Sequence, residues 1–136
     1  MKVFAVFDTN ILVSALLSHH SDTAVVIALE ALLSNEVTPL YNDAIIAEYK
    51  NVLHREKFHF PELLVDSIIN YIQKIGLASE RVHSNEQFTD PDDVVFYEVA
   101  LSKEGSLLVT GNTKHFPKTP IVVTPAEFLK KIGKGL

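Results

Sequence analysis

Three short apolar runs, each next to a segment with helical character, constrain the fold of this chain more than any other feature of its sequence. The runs are KVFAVF (2–7), SLLVT (106–110) and IVVT (121–124). They are rich in β-branched and aromatic residues and nearly free of charge, which is typical of strands buried on both faces. Strands that alternate with helices form βαβ units, so we expect a parallel sheet with helices on both faces.

The segments between these runs supply the helices and the other strands. VTPLYN (37–42) and residues 80–83 are predicted as strands, and Ser21 or Asp22 is expected to cap the second helix. Periodicity and capping residues predict helices over 10–17, 23–33, 43–56, 61–74 and 92–103, and a last helix that starts at Pro125. The predicted fold class is α/β, a three-layer α/β/α domain with a central parallel sheet of four to five strands.

Composition restricts where such a domain works and what it binds. The 136 residues are 47% hydrophobic and 21% charged, as expected of one globular domain spanning 1–136. Cysteine is absent, which removes disulfide bonds, thiol catalysis and thiolate metal sites and suits the cytoplasm. The run VFAVF is too short for a signal peptide, and no apolar stretch approaches the roughly 20 residues that span a membrane. The net charge of −5 opposes an open nucleic-acid surface unless bound cations supply positive charge locally.

Two acidic side chains are placed near the carboxyl edge of the predicted sheet, where ligands of such sheets bind. Asp8 follows the first strand directly, although it can also serve as the cap of the helix that begins near Asn10. Glu48 borders the apolar face of its helix, where a solvated glutamate is the alternative interpretation. Neither residue is decisive alone.

The segment DPDDVVFYEVA (90–100) adds Asp90, Asp92 and Asp93 in and before the first turn of an apolar helix. A helix N-terminus stabilises carboxylates, which explains part of this cluster, but three acids exceed what capping needs. Asn112 follows the strand 106–110 at the same edge, although a Gly-Asn pair is also an ordinary turn. Carboxylates that converge raise one another's pKa, so the pattern indicates bound cations, and oxygen ligands select Mg²⁺ or Mn²⁺.

At these residues the chain resembles the PIN-domain ribonucleases, and among them the toxins of bacterial and archaeal toxin–antitoxin systems. The resemblance covers nearly the whole chain and is carried by FDTNILVSALLS, NDAIIAEYKNVLHREKF and DPDDVVFYEVALSKEGSLLVTGNTKHF. Asp8 and Glu48 match the first and second acids of the family, and Asp93, three residues before Phe96, matches the third. The last position, often Asp in the family, is Asn112, which removes one negative charge and lowers the expected affinity for metal.

The resemblance implies a PIN-like fold and a metal-dependent endoribonuclease that hydrolyses phosphodiester bonds of single-stranded RNA. Asp8, Glu48 and Asp93 would hold Mg²⁺ or Mn²⁺, and Asp90 and Asn112 would complete the catalytic group. Toxins of this kind are expected to form homodimers and to be held by a cognate antitoxin protein.

Polar and basic residues near the proposed site are candidates for substrate contacts. Asn10 and Thr110 would orient ligands or water. HREKFHF (54–60) interleaves Arg55 and Lys57 with aromatic residues, a composition able to contact phosphates and stack on bases, but a solvated helix end is the alternative. A second candidate rim consists of Lys114, His115 and Lys118.

Other functions stay open on the sequence alone. A catalytically weakened module that binds RNA or protein would keep the fold, and Asn112 would then mark the loss of chemistry. An aspartyl-phosphate phosphatase also uses an Asp after its first strand, but its second acid would stand at position 10, which is Asn. A receiver domain would need a phosphate-accepting Asp after a central strand, and no such Asp is found.

Overall fold

The computed structural model describes residues 2–134, and its strands form one five-stranded sheet. The elements in chain order are β1 (Phe4–Phe7), α1 (Thr9–Leu17), α2 (Ala24–Leu33), β2 (Thr38–Tyr41), α3 (Asp43–Leu53), α4 (Glu62–Ile75), β3 (Leu77–Ala78), α5 (Val94–Leu101), β4 (Leu107–Val109), β5 (Val122–Val123) and α6 (Pro125–Lys131). Short 3₁₀ turns lie at Glu56–Phe58, Pro91–Asp93 and Thr113–His115. Within residues 2–134, no helix is both long enough and apolar enough to cross a membrane.

All neighbouring strands in the sheet are parallel, in the order β3-β2-β1-β4-β5. The central strand β1 pairs on one side through Ala5 with Pro39 and on the other through Ala5 with Leu107. The chain builds outward from β1 to β3 and then returns to place β4 on the other side of β1. The direction of strand order therefore changes between β1 and β4, which is where open α/β sheets bind ligands. This architecture confirms the predicted α/β/α fold.

Aromatic residues tie the central strand to the helices. Phe7 of β1 meets Phe128 of α6 edge to face, with ring centroids 5.6 Å apart. Tyr49 of α3 is fully buried and its ring lies 6.3 Å from that of Phe96 in α5. These large buried rings fix the ends of β1, α3 and α5 relative to one another, because native interiors are closely packed.

The third strand departs from the sequence prediction, which placed it at residues 80–83. It lies at Leu77–Ala78, directly after Gly76 ends α4 in extended backbone. A Cβ on Gly76 would lie 2.4 Å from the carbonyl oxygen of Ile72 and 2.7 Å from that of Pro39. Glycine allows the helix to turn into the strand without an intervening loop, so the strand begins earlier than predicted.

Helix boundaries also differ locally from the predicted ones. The cap of α2 is Thr23, so the expectation of Ser21 or Asp22 is wrong. Helix α3 ends at Leu53, and the chain then forms the separate turn Glu56–Phe58 instead of continuing to residue 56. The helix stops because Arg55 has extended backbone, with φ of −61° and ψ of 130°, and His59 then closes the turn in the left-handed region with φ of 55°.

Candidate active site

Asp8 is the first residue after β1, and neighbours from two distant parts of the chain fix its carboxylate. Its Oδ2 accepts hydrogen bonds from the Thr110 hydroxyl at 2.7 Å and from the Asn10 amide at 3.0 Å. Its backbone N–H donates to the carbonyl of Val109 at 2.9 Å, which continues the pairing of β1 with β4. Asp8 occupies the N-cap position of α1, but its side chain makes no capping hydrogen bond. The carboxylate is therefore held by the end of β4 and not used to cap the helix.

Glu48 reaches the same region because α3 is docked onto β1. The Asn42 side chain caps this helix by accepting from the backbone N–H of Ile45 at 2.9 Å. Tyr49 then anchors it, since its hydroxyl donates to the carbonyl of Phe7 at 2.5 Å. The residue before this anchor, Glu48, is half-buried at the edge of the packed face.

The third acidic segment enters through a tight turn before α5. Asp90 accepts a hydrogen bond from the backbone N–H of Asp92 at 2.9 Å and so caps the turn Pro91–Asp93. The Oδ2 atom of Asp93 is buried and accepts no hydrogen bond from residues 2–134. His115 Nδ1 lies 3.6 Å away, beyond hydrogen-bonding distance but close enough to interact electrostatically when protonated.

The three segments meet in one pocket of about 230 Å³ at the carboxyl edge of the sheet. Its acidic lining consists of Asp8, Glu48, Asp90, Asp92 and Asp93, and its other lining residues include Arg55 and Phe96. The predicted acids thus come together as the sheet topology requires. Arg55 places a cation among them.

Burial and mutual repulsion change the acidity of this group. Burial raises the pKa of Asp8, and the hydrogen bonds from Thr110 and Asn10 only partly oppose it. Burial, the charge of Asp8 and that of Asp90 together raise the pKa of Asp93 to about 6. The pKa of Glu48 is raised by burial and by the neighbouring acids, while Arg55 opposes the shift. Each shift shows that the negative charge is poorly compensated by the protein itself.

The donors in this pocket have the chemistry that a hard divalent cation requires. They are carboxylate oxygens, and the buried Asp93 Oδ2 is an acceptor to which no group of residues 2–134 donates a hydrogen bond. In the part of the chain that the structure describes, however, no three side chains of the metal-binding types lie close enough together to hold an ion. The residues fit a cation by type and by shared pocket, but they are not drawn together into a closed coordination shell. Repulsion among uncompensated carboxylates favours such a spacing.

Several other predicted site residues lie outside this pocket. The Asn112 backbone N–H donates to the Thr110 hydroxyl at 3.0 Å, while Asn112 itself is exposed and lines a neighbouring cavity with Lys114 and His115. The Lys57 ammonium lies 5.1 Å above the Phe58 ring. Phe58 in turn stacks on Phe60 at 5.2 Å, so these rings contact each other. Asn112 and Lys57 therefore do not line the acidic pocket.

The sequence analysis placed Asp92 in the acidic cluster without giving it a role, and it left out Glu98. Asp92 lines the pocket, and its position in DPDD was the available signal. Glu98 is buried on α5 and accepts hydrogen bonds from Arg81 Nε at 2.9 Å and from the Ser84 backbone N–H at 2.8 Å. No sequence pattern predicts that contact, because residues 81–84 have no regular structure.

Comparison with known proteins agrees with this architecture. A chain in the crystal structure of VapBC2 from Rickettsia felis, bound to a DNA fragment from their promoter, has a similar fold with a TM-score of 0.57. The two chains are 19% identical, and the match covers 90% of this chain and 98% of that chain, a likeness that concerns the fold alone. Among curated proteins, no sequence matches significantly. Residues 5–114 match the family model described as PIN domain. Because this match spans most of the sequence, the chain belongs to the PIN domain family.

Proposed function

We propose that this chain is a metal-dependent endoribonuclease that hydrolyses phosphodiester bonds of single-stranded RNA with Mg²⁺ or Mn²⁺. PIN domains are generally nucleases. The observation that carries the proposal is the pocket in which acids from three separate segments, including Asp8, Glu48 and Asp93, meet with raised pKa values. Such an arrangement costs stability, which is expected where a cation or a substrate compensates it.

Asp8, Glu48 and Asp93 are the residues proposed to hold the cation, with Asp90 beside them. When bound, the cation supplies acidity for an attacking water and charge stabilisation for the departing 3′ oxygen. Thr110 and Asn10 act through Asp8: their hydrogen bonds at 2.7 and 3.0 Å fix the orientation of its carboxylate.

Substrate contacts are proposed for the basic residues around the pocket. Arg55 lines the pocket itself, and its planar guanidinium suits the non-bridging oxygens of the scissile phosphate. Lys114 and His115 lie on the β4 side, where His115 approaches Asp93. Lys57, whose ammonium lies over the Phe58 ring, is a further contact, and Asn112 positions water or RNA at the turn after β4.

We further propose that the chain is the toxin of a toxin–antitoxin pair, acts in the cytoplasm, and forms a homodimer that a cognate antitoxin inhibits. Support comes from the family and from the likeness in fold to VapBC2. Co-expression with the protein encoded beside it tests the pairing. Co-purification together with loss of ribonuclease activity is expected, and full activity in the complex would contradict the assignment.

The central experiment measures cleavage of a 5′-labelled single-stranded RNA by the purified protein with Mn²⁺, with Mg²⁺ and with EDTA. Internal cleavage is expected only with the cations, and it should leave a 3′-hydroxyl end, because water and not the 2′-hydroxyl attacks phosphorus. Asp8→Asn should abolish cleavage while circular dichroism remains that of the wild type. Asp22→Asn is the matched control, since Asp22 is exposed and far from the pocket in sequence. Full activity of Asp8→Asn would refute the mechanism.

A second candidate, a catalytically weakened module that binds RNA or protein, is favoured by two observations. Asn112 stands where the family often has Asp, and no three potential metal ligands in residues 2–134 lie close enough together to hold an ion. Such a module would bind RNA equally well with EDTA and leave it intact in Mn²⁺. The same cleavage assay therefore separates the two functions.

A further inference from the structure

A second cavity lies at the carboxyl ends of β4 and β5, between the turn Thr113–His115 and the start of α6. It has a volume of about 450 Å³. The backbone N–H of Thr110 donates to the carbonyl of Val123 at 3.0 Å, so the ends of β4 and β5 lie side by side beneath it. Its size falls within the roughly 300–1,000 Å³ of ligand pockets.

The lining of this cavity combines an apolar surface with two cations. Pro117 and Val122 provide the apolar part, and Lys114 and Lys118 are exposed at its rim. Neither lysine forms an ion pair with a carboxylate of the described chain. In a protein with a net charge of −5, two unpaired lysines at one opening are a local site for an anion.

The acid that lines the cavity, Glu127, is engaged elsewhere. Its Oε1 accepts a hydrogen bond from the backbone N–H of Thr124 at 2.8 Å, and the Thr124 hydroxyl accepts from the Glu127 N–H at 3.1 Å. This capping box satisfies the first turn of α6 internally. Anion binding in the cavity must therefore come from Lys114 and Lys118 and not from the end of that helix.

The turn Thr113–His115 connects this cavity to the proposed cleavage site. Thr113 and Lys114 line it and also line the small cavity that extends to His115. The His115 imidazole lies 3.6 Å from Asp93. His115 therefore lies between the acidic pocket and this cavity.

We propose that the cavity binds one nucleotide of single-stranded RNA adjacent to the scissile phosphate. The base packs on the apolar side chains of Pro117 and Val122, and Lys114 and Lys118 contact the neighbouring phosphate, as the cationic grooves that follow a single-stranded backbone do. Thr113 lines the same cavity, and its hydroxyl is available to the base edge. The inference rests on the proposed ribonuclease function, and it makes this cavity the part of the site that selects RNA sequence.

The first test is an NMR titration of the ¹⁵N-labelled protein with each of the four ribonucleoside 5′-monophosphates in EDTA. Chemical-shift changes are expected at the amides of Thr113, Lys114, Lys118 and Val122, and they should be larger for one base than for the others. Changes confined to residues outside the cavity, or no changes at millimolar nucleotide, would overturn the proposal.

The second test measures binding of a labelled single-stranded RNA in Ca²⁺ over a range of salt concentrations. The double variant Lys114→Gln, Lys118→Gln should raise Kd about tenfold and reduce the slope of log Kd against log salt by roughly 0.7, the contribution of the one phosphate that both lysines contact. Lys74→Gln is the control, because this exposed lysine lies in the last turn of α4, at the amino ends of the strands. Equal effects of the two changes would overturn the proposal.

The outcomes separate this inference from the proposed function. Cleavage by wild type in Mn²⁺ without shifts in the cavity would refute the nucleotide site and leave the ribonuclease standing. Shifts in the cavity with RNA that stays intact in Mn²⁺ would refute the ribonuclease and leave the binding site standing.

Discussion

At the scale of single residues, the hydroxyl of Thr110 distinguishes this site from an ordinary helix cap. Thr110 is fully buried, donates to Asp8 at 2.7 Å and accepts from the Asn112 N–H at 3.0 Å. It therefore links the acid after β1 to the turn after β4. The sequence analysis proposed that Thr110 orients ligands or water, but it did not identify Asp8 as the partner, which lies about a hundred residues away.

Thr110→Val should reduce cleavage by about 10–100-fold, because loss of a partner that orients a ligating carboxylate has effects of this size. Thr110→Ser, which keeps the hydroxyl, should retain most of the activity. Thr38→Val is the matched control, since Thr38 is also buried but starts β2, at the amino ends of the strands. Initial rates on labelled RNA in Mn²⁺ measure the effect. Wild-type rates in a folded Thr110→Val protein would remove Thr110 from the mechanism.

Tyr49→Phe should lower the free energy of unfolding by about 1 kcal/mol or somewhat more, since it leaves the buried carbonyl of Phe7 without its donor. Burial raises the pKa of Tyr49, so its hydroxyl stays protonated and remains a donor. Tyr71→Phe is the control, because the Tyr71 hydroxyl has no hydrogen-bond partner among the described residues. Urea unfolding of the two variants provides the measurement. Equal stability would show that the Tyr49 hydrogen bond does not anchor α3.

At the scale of elements, helix α5 supports the irregular segment that leads into the acidic turn. Glu98 on this helix accepts from Arg81 and from the backbone of Ser84, and its own carbonyl accepts from the Val82 N–H at 3.1 Å. Burial disfavours the charged carboxylate, but these hydrogen bonds and the charge of Arg81 outweigh burial and lower the pKa of Glu98. We call this set of contacts between Glu98 and residues 81–84 the Glu98 clamp. It holds the segment before Asp90 against α5.

Glu98→Gln should lower the free energy of unfolding at pH 7 by about 1–3 kcal/mol, the usual size of a hydrogen bond to a charged group. A carboxyl whose folded pKa is depressed contributes stability above its unfolded pKa of about 4.3 and loses it as pH falls through the folded value. The difference between wild type and variant should therefore shrink below about pH 4. Urea unfolding at pH 7 and below about pH 4 tests this, with Glu30→Gln, a change at an exposed position, as the control. A difference independent of pH would contradict the clamp.

The elements differ in how far the sequence predicts them. Apolar runs predicted β1, β4 and β5 within a few residues, because strands buried on both faces leave a continuous apolar signal. The two-residue strand β3 was misplaced, since its exposed Leu77 and Ala78 give neither alternation nor an apolar run. Glu98 was missed for a related reason: its partners lie in a segment without periodicity, and only tertiary packing brings them to α5.

At the scale of the whole molecule, the candidate site opposes the stability of the fold. The sequence predicted that Asp8, Glu48 and Asp93 would share an edge, because parallel strands end together. It did not predict their separations, which depend on how α3 and α5 pack against β1. Raised pKa values mean that the ionised form of these acids is less stable, relative to the protonated form, in the folded state than in the unfolded chain. The fold therefore loses stability as pH rises through the window from 3.8 to about 6 in which Asp93 ionises.

Asp93→Asn should raise the melting temperature in EDTA, by an amount equivalent to about 1 kcal/mol, because it removes one uncompensated charge from a partly buried cluster. Mn²⁺ at a hundred times its Kd should stabilise the wild type by about 2.7 kcal/mol and the variant far less, since only the folded wild type offers the complete set of carboxylates. Asp22→Asn, an exposed change of the same type, should respond to Mn²⁺ as the wild type does. Thermal unfolding with and without the cation measures all three proteins. If Asp93→Asn were less stable than wild type in EDTA and equally stabilised by Mn²⁺, Asp93 would serve the folding of α5 and not a metal site. A variant that is more stable in EDTA and little affected by Mn²⁺ means that the charge of Asp93 serves to bind a cation and lowers the stability of the fold.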